Sequence, residues 1–162
     1  RDGMPNLPSG AFLTAREWAR FGQFILQGGR WEGKQLVPRA LLEECFKGTA
    51  TNPAYGLTFW LNTAPARGGG AAVADGGEGF FGRRRETDHI SEDGILPGGP
   101  RDLVMAAGAG KQRLYVIPSL DMVIVRQGRQ SGFDDAEFLS RLLGTVGDKT
   151  GPAGNQAGGR KR

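Results

Sequence analysis

"DLVMAAGAGKQRLYVIPSLDMVIVRQG", Asp102 to Gly128, holds three apolar segments separated by two short interruptions, and its reading decides the fold. "DLVMAAG", "RLYVIP" and "DMVIVRQG" are apolar, and the last two, both β-rich runs, are joined by Pro118, Ser119, Leu120 and Asp121, which is a turn sequence. Their apolar content is nearly continuous rather than alternating, as expected for strands covered on both faces. The short connections make neighbouring strands antiparallel. Between the first two segments lies Gly108-Ala109-Gly110-Lys111, which at first sight reads as a phosphate-binding loop. A P-loop needs a glycine five residues before its Gly-Lys and a Ser or Thr after it, and those places hold Met105 and Gln112. The loop must also open a helix, whereas "QRLYVIP" has the composition of a strand. Two readings of the stretch remain: a tight bend between strands, or an open strand edge that accepts the backbone of a substrate.

Upstream, "LTAREWARFGQFILQGGRW" carries a capping box, Thr14 with Glu17 three residues on, and a stop at Gly28-Gly29. Trp18, Phe21 and Ile25 share a face, and Gly22 on that face permits a close approach by a neighbouring element. A turn at Glu32-Gly33 follows, then a short amphipathic helix with Pro38 in its first position and Ala40, Leu41, Leu42 and Phe46 as its apolar residues. "AYGLTFWLN", from Ala54 to Asn62, is expected to be a strand inside a sheet. "FDDAEFLSRLLGTV" reads as a helix with Asp134 and Asp135 at its N-terminal end and Phe138, Leu139, Leu142 and Leu143 as its stripe.

The chain has 162 residues, 38% of them hydrophobic, enough for one folded unit. That unit is expected over residues 1–146, with a Gly-rich excursion over 63–101 and a disordered tail over 147–162. Phe80-Phe81 and Ile95-Leu96 could tack the excursion to the body. The net charge is +4, and Arg83 to Arg85 and Arg160 to Arg162 form two basic runs without interleaved aromatics, which argues against nucleic acid as a partner. Cys45 is the single cysteine and His89 the single histidine, too few for a Cys- or His-based metal site. No metal and no cofactor is expected. Cys45 reads as a buried apolar residue, His89 as a surface histidine, and Trp18, Trp31 and Trp60 as core or cleft-wall aromatics. No apolar run approaches the ~20 residues of a transmembrane helix. The opening "RDGMPNLPSG" resembles neither a signal nor a transit peptide and reads as a loop cut from a longer protein.

Together, "TAREWARFGQFILQGGRWEGKQLVP", "YGLTFWLN" and "DLVMAAGAGKQRLYVIPSLDMVIVRQG" resemble the C-terminal half of the β-lactamase-related serine hydrolases, from about Leu13 to Leu143. That family includes class C β-lactamases, penicillin-binding peptidases, esterases and amidases. The resemblance implies an α/β, or α+β, sandwich: a five-stranded antiparallel sheet flanked by helices, of which this chain supplies the last three strands and the C-terminal helix. It places the family's third motif, Lys-Thr-Gly or a variant, on Ala109, Gly110 and Lys111, on the strand beside the active site, and an oxyanion-hole N–H on Gln112. These four residues are the candidate substrate-binding and oxyanion residues. Alanine stands where the family often has Lys or His, and Lys111 where it usually has Gly. Lysines are ordinarily exposed, which makes Lys111 a solvated charge rather than a carboxylate anchor.

The family's other motifs are absent. Ser9, Ser91, Ser119, Ser131 and Ser140 are followed three residues on by Phe12, Gly94, Met122, Asp134 and Leu143, so there is no Ser-x-x-Lys. Tyr55 and Tyr115 are followed two on by Leu57 and Ile117, so there is no Tyr-x-Asn. A serine hydroxyl attacks only when a neighbouring base takes its proton. The expectation is therefore the C-terminal segment of an acyl-transfer hydrolase, inactive alone, whose partners are the N-terminal half of the same domain and an ester, amide or peptide-like substrate. The family resemblance also suggests a periplasmic or extracytoplasmic location. The alternative is a non-catalytic module that binds peptide along an exposed strand edge.

Overall fold

The computed structural model describes residues 12–64, 93–128 and 132–144. They form a mixed α+β unit: an antiparallel four-stranded sheet with helices against both faces. Helix α1 (Ala15–Leu26) leads through a small hairpin, β1 (Arg30–Trp31) and β2 (Lys34–Gln35), into helix α2 (Arg39–Glu44). The sheet follows, in the order β3 (Trp60–Leu61), β4 (Val104–Gly108), β5 (Gln112–Ile117) and β6 (Met122–Arg126), and helix α3 (Asp135–Leu143) is the last described element.

The three strands of the Asp102–Gly128 stretch form as expected, in unbroken register from Val104 opposite Val116 to Gly108 opposite Gln112, and from Arg113 opposite Arg126 to Ile117 opposite Met122. Alternate residues of β5 serve two cores. Leu114 and Val116 pack with Ile25, Leu42, Phe59 and Leu61 on the α1 face, while Tyr115 and Ile117 pack with Met105, Leu103, Ile95, Leu96 and Leu139 on the α3 face. The turn between β5 and β6 is closed by Asp121 in the left-handed region (φ 48°). Asp102 holds that turn by accepting from the Ser119 amide (2.6 Å) and the Ser119 hydroxyl (2.8 Å).

Helix α1 begins at its capping box: the Thr14 amide donates to the Glu17 carboxylate (2.7 Å) and the Glu17 amide to Thr14 Oγ1 (3.3 Å). The backbone hydrogen bond from Thr14, joined by one from its hydroxyl, holds the Glu17 carboxyl below its ordinary value. Gly22 lets α1 lie directly on the sheet, because a Cβ there would stand 2.5 Å from Val123 Cγ1 and 2.8 Å from Leu114 Cδ1. Asp134 caps α3 by accepting from the Glu137 amide (2.7 Å), and Gly144 ends it with a positive φ of 69°.

Three expectations need correction. In "AYGLTFWLN" only Trp60 and Leu61 join the sheet. Tyr55 instead bridges back to Trp60, with Thr58 at φ 68° between them, because Gly56 lies against the Cys45 carbonyl at the end of α2, where no Cβ fits. Pro38 caps α2 with extended backbone (ψ 131°) rather than occupying its first turn, and Phe46 lies beyond the helix end. Leu41 and Leu142 are exposed, leaving Leu42 and Leu139 as the buried anchors of α2 and α3. Ile95 and Leu96 do tack the end of the 63–101 excursion to the body: both are buried, and the Asn62 amide donates to the Leu96 and Pro100 carbonyls (3.1 and 2.9 Å) and accepts from the Leu96 amide (2.9 Å). Cys45 is half-buried against the α1-side core. His89, Phe80-Phe81 and the 147–162 tail lie outside the described residues. Among the described residues no helix is long and apolar enough to cross a membrane.

Gly22→Val places two methyl groups where Val123 and Leu114 already sit. It is expected to lower unfolding free energy by about 3 kcal/mol in urea denaturation, whereas Gly33→Ala, with open space around it but a φ of 78°, strains its own turn by about 1 kcal/mol and leaves the α1 contact intact.

Candidate functional site

Ala109, Gly110 and Lys111 form the three-residue connection between β4 and β5, closed by the Gly108–Gln112 pair. Gly110 (φ 71°, ψ 26°) and Lys111 (φ 61°) are both left-handed, a conformation that glycine adopts freely and that makes the chain reverse at once. The resemblance placed these residues on a strand; they are the turn, and Gln112 is the first residue of β5. Nor does this loop open a helix that could face a phosphate, since it leads straight into the strand.

Lys111 is not the solvated charge expected of it: the residue is only 6% exposed. Its carbonyl accepts from Arg126 Nη1 (2.5 Å). The Gln112 side chain bonds in both directions to Gly128, donating to its carbonyl (3.0 Å) and accepting from its amide (3.1 Å), so the start of β5 is tied to the chain just beyond β6. The amide pair fixes where the Gln112 backbone lies. It leaves the side chain little freedom to meet a ligand.

Arg113, the next residue, is 3% exposed in a strand of apolar side chains. A buried guanidinium demands a carboxylate and further acceptors. Asp135 supplies the first, with Arg113 Nε to Oδ1 at 2.9 Å, and the Gly108 and Gln112 carbonyls accept from Nη1 at 3.4 and 3.1 Å. The Tyr115 hydroxyl, two residues along the same strand face, donates to the same Asp135 oxygen. Asp135 lies in the first turn of α3, where the helix dipole favours a negative charge. Burial, then the neighbouring Asp135 charge, pushes the Tyr115 hydroxyl well above its ordinary pKa and keeps it neutral. Arg126 completes the cluster, its guanidinium 3.9 Å above the Phe133 ring.

Two guanidinium groups thus hold three carbonyls around the turn, those of Gly108, Lys111 and Gln112. The result is a rigid reversal. Beside it, the outer side of β4 pairs with β3 only at Val104 and Met105, so Ala106, Ala107 and Gly108 have no strand neighbour on that side among the described residues. Their small side chains leave the backbone approachable.

The Ser119 hydroxyl is spent on Asp102 at the opposite end of β5, Ser140 lies on α3, and the Tyr115 hydroxyl is buried against Asp135. Among the described residues no group of three His, Cys, Asp or Glu side chains is placed to hold a metal ion. The sequence reading picked out Ala109 to Gln112 and passed over Arg113, Tyr115, Arg126 and Asp135. Their signal was present: an arginine and a tyrosine two residues apart in an otherwise apolar strand share one face and need a polar partner there. Comparison of the chain with protein-family models and with curated proteins returns no match.

Asp135→Ala leaves Arg113 buried without its carboxylate and is expected to cost about 3 kcal/mol in denaturant unfolding, while a surface pair such as Arg141–Glu137 costs under about 1 kcal/mol when broken. Because the folded-state pKa of Tyr115 is raised, its contribution is complete below the unfolded value of about 10 and is lost as pH climbs above it. The stability difference between the natural chain and Tyr115→Phe should therefore be constant at neutral pH and shrink by about 1.4 kcal/mol per unit above pH 10; a difference that stays constant to pH 11.5, checked by pH-jump unfolding, contradicts the buried neutral phenol.

Proposed function

We propose that this chain is the C-terminal part of a serine hydrolase of the β-lactamase-related family, and that β4 with its turn forms one wall of an acyl-transfer cleft. The observation that carries this reading is the outer edge of β4. Its small residues, Ala106, Ala107 and Gly108, have no described strand beside them and run directly into the left-handed turn at Gly110. An ester, amide or β-lactam laid along that edge meets a backbone held in place rather than a flexible loop. The antiparallel sheet with α1 on one face and α3 on the other supports the same β-lactamase-like architecture.

In this reading the chemistry divides between two parts of the domain. A serine activated by a Ser-x-x-Lys lysine and a Tyr-x-Asn tyrosine, none of them in these 162 residues, attacks the substrate carbonyl and passes its proton to that base. The oxyanion that develops needs a fixed N–H donor; the resemblance assigns that role to Gln112, whose side chain is clamped to Gly128 and whose backbone pairs with Gly108 on the inner side of β4. Ala109 and Lys111 contribute the shape of the turn rather than a charge at the reacting atom. Arg113 and Arg126 act through the carbonyls they hold and are positioning residues.

The 162-residue chain incubated alone with nitrocefin, p-nitrophenyl esters and a fluorophosphonate probe should show no turnover above buffer and no adduct by intact mass. The coding sequence upstream of Arg1 should supply Ser-x-x-Lys and Tyr-x-Asn, and the longer product should be labelled on that serine. Turnover by the 162 residues alone overturns the division of the chemistry. A start codon directly before Arg1 overturns the hydrolase reading and leaves a strand-edge binding module.

A further inference from the structure

The β5–β6 ladder stops one rung short of where its register would take it. The backbone amide of Asn62 donates to the Leu103 carbonyl on the outer side of β4 (3.1 Å), so Leu103, Met105 and Ala107 turn their backbone groups outward, and Val104, Ala106 and Gly108 turn theirs toward β5. The partners Val116, Leu114 and Gln112 face β4 in return, which leaves Arg113, Tyr115 and Ile117 facing β6. Because Arg113 stands opposite Arg126, the next rung would join Lys111 to Gly128. Lys111 does not make it. Its φ of 61° belongs to the turn, and its carbonyl accepts from Arg126 Nη1 while the Gly128 amide bonds elsewhere.

The Gln112 side chain fills the gap. Nε2 donates to the Gly128 carbonyl (3.0 Å) and Oε1 accepts from the Gly128 amide (3.1 Å), the reciprocal pair that a backbone residue makes in an antiparallel ladder. A primary amide carries the donor and the acceptor of a peptide group together, which a carboxylate or a thioether does not. Arg126 Nη1 reaches the same Gly128 carbonyl (3.5 Å), and its guanidinium lies 3.9 Å over the Phe133 ring. Side chains thus join the turn after β4 to the chain after β6 where the backbone parts.

We propose that Gln112 is a positioning residue for the candidate cleft and acts through its side chain. The amide stands in for the missing Lys111–Gly128 rung, so the turn reverses in the left-handed region and still stays fixed to the far strand. The backbone groups of Gln112 are committed to Gly108 inside the sheet, and the side chain is what this residue offers the turn. That the fixed turn borders a cleft rests on the acyl-transfer reading. The surrogate rung rests on the register and the two bonds to Gly128, and stands without that reading.

Residue-resolved amide exchange on the 162-residue chain tests the proposal without substrate. Gln112→Met keeps the reach of the side chain and removes its amide, and should speed exchange at Gly128 and Gly110 by at least about tenfold while Leu114 to Ile117 keep the rates of the natural chain. Gln112→Asn, one methylene shorter, should do the same. Gln127→Met, which loses a bond to Leu13 rather than to the turn, should leave both glycines unchanged. In the natural chain the Gln112 Nε2 proton facing Gly128 should exchange at least about tenfold more slowly than the side-chain amide of the exposed Gln23. Acceleration spread evenly over β5 would show that Gln112 adds stability alone, and overturns the proposal. So does a Gly110 rate indifferent to the loss of the amide, or a Gln112 side chain that exchanges like that of Gln23, a comparison that needs no variant to fold. None of these outcomes bears on whether Ser-x-x-Lys lies upstream, so the two readings fail separately.

Discussion

Burying the guanidinium of Arg113 inside a sheet is tolerable only because Asp135 arrives at the right place on α3, and much of the α3 face depends on that meeting. The pair links the strand to the helix, and its remaining donors reach the carbonyls of Gly108 and Gln112 at the two sides of the β4–β5 turn. Tyr115 spends its hydroxyl on the same carboxylate, so its ring can pack beside Phe138 without leaving a polar atom unsatisfied. Replacing such a pair with apolar residues of equal volume need not destabilise a protein. What the pair supplies here is register: only one placement of α3 puts a carboxylate within reach of both Arg113 and Tyr115.

On the other face the constraint is steric rather than electrostatic. α1 approaches β5 and β6 closely because Gly22 has no side chain, and the capping box at Thr14 fixes where the helix begins relative to that contact. The two cores meet across β5, the strand that is paired on both sides along its length and buried from Arg113 to Ile117. β4 and β6 flank it, each with an outer side that is only partly covered or uncovered by described strands. The β4 edge has small residues and a rigid turn.

The apolar runs, the Pro-Ser-Leu-Asp turn, the capping box and the role of Gly22 were all legible in the sequence, because each rests on local geometry or on a periodicity of a few residues. "AYGLTFWLN" was not. Its aromatic content favours a strand, but a tertiary contact between Gly56 and the Cys45 carbonyl turns the chain back. Lys111 was misjudged too: it is buried, and its carbonyl accepts from Arg126, 15 residues on, a partner no local pattern announces. Of the site, the turn was found and its supports were not. Arg113 and Asp135 lie 22 residues apart, and only the fold brings them together. The dividing line is distance along the chain.

The central claim is that β5 forms the protected middle of the sheet, with β4 and β6 on either side of it. Amide hydrogen exchange resolved to single residues measures it directly. The account predicts that Leu114 to Ile117 exchange most slowly, near the global unfolding limit, while amides of β6 and of Ala106 to Gly108 alternate between protected and fast as they face β5 or the open side. Uniform protection along β6, equal to that of β5, would contradict it.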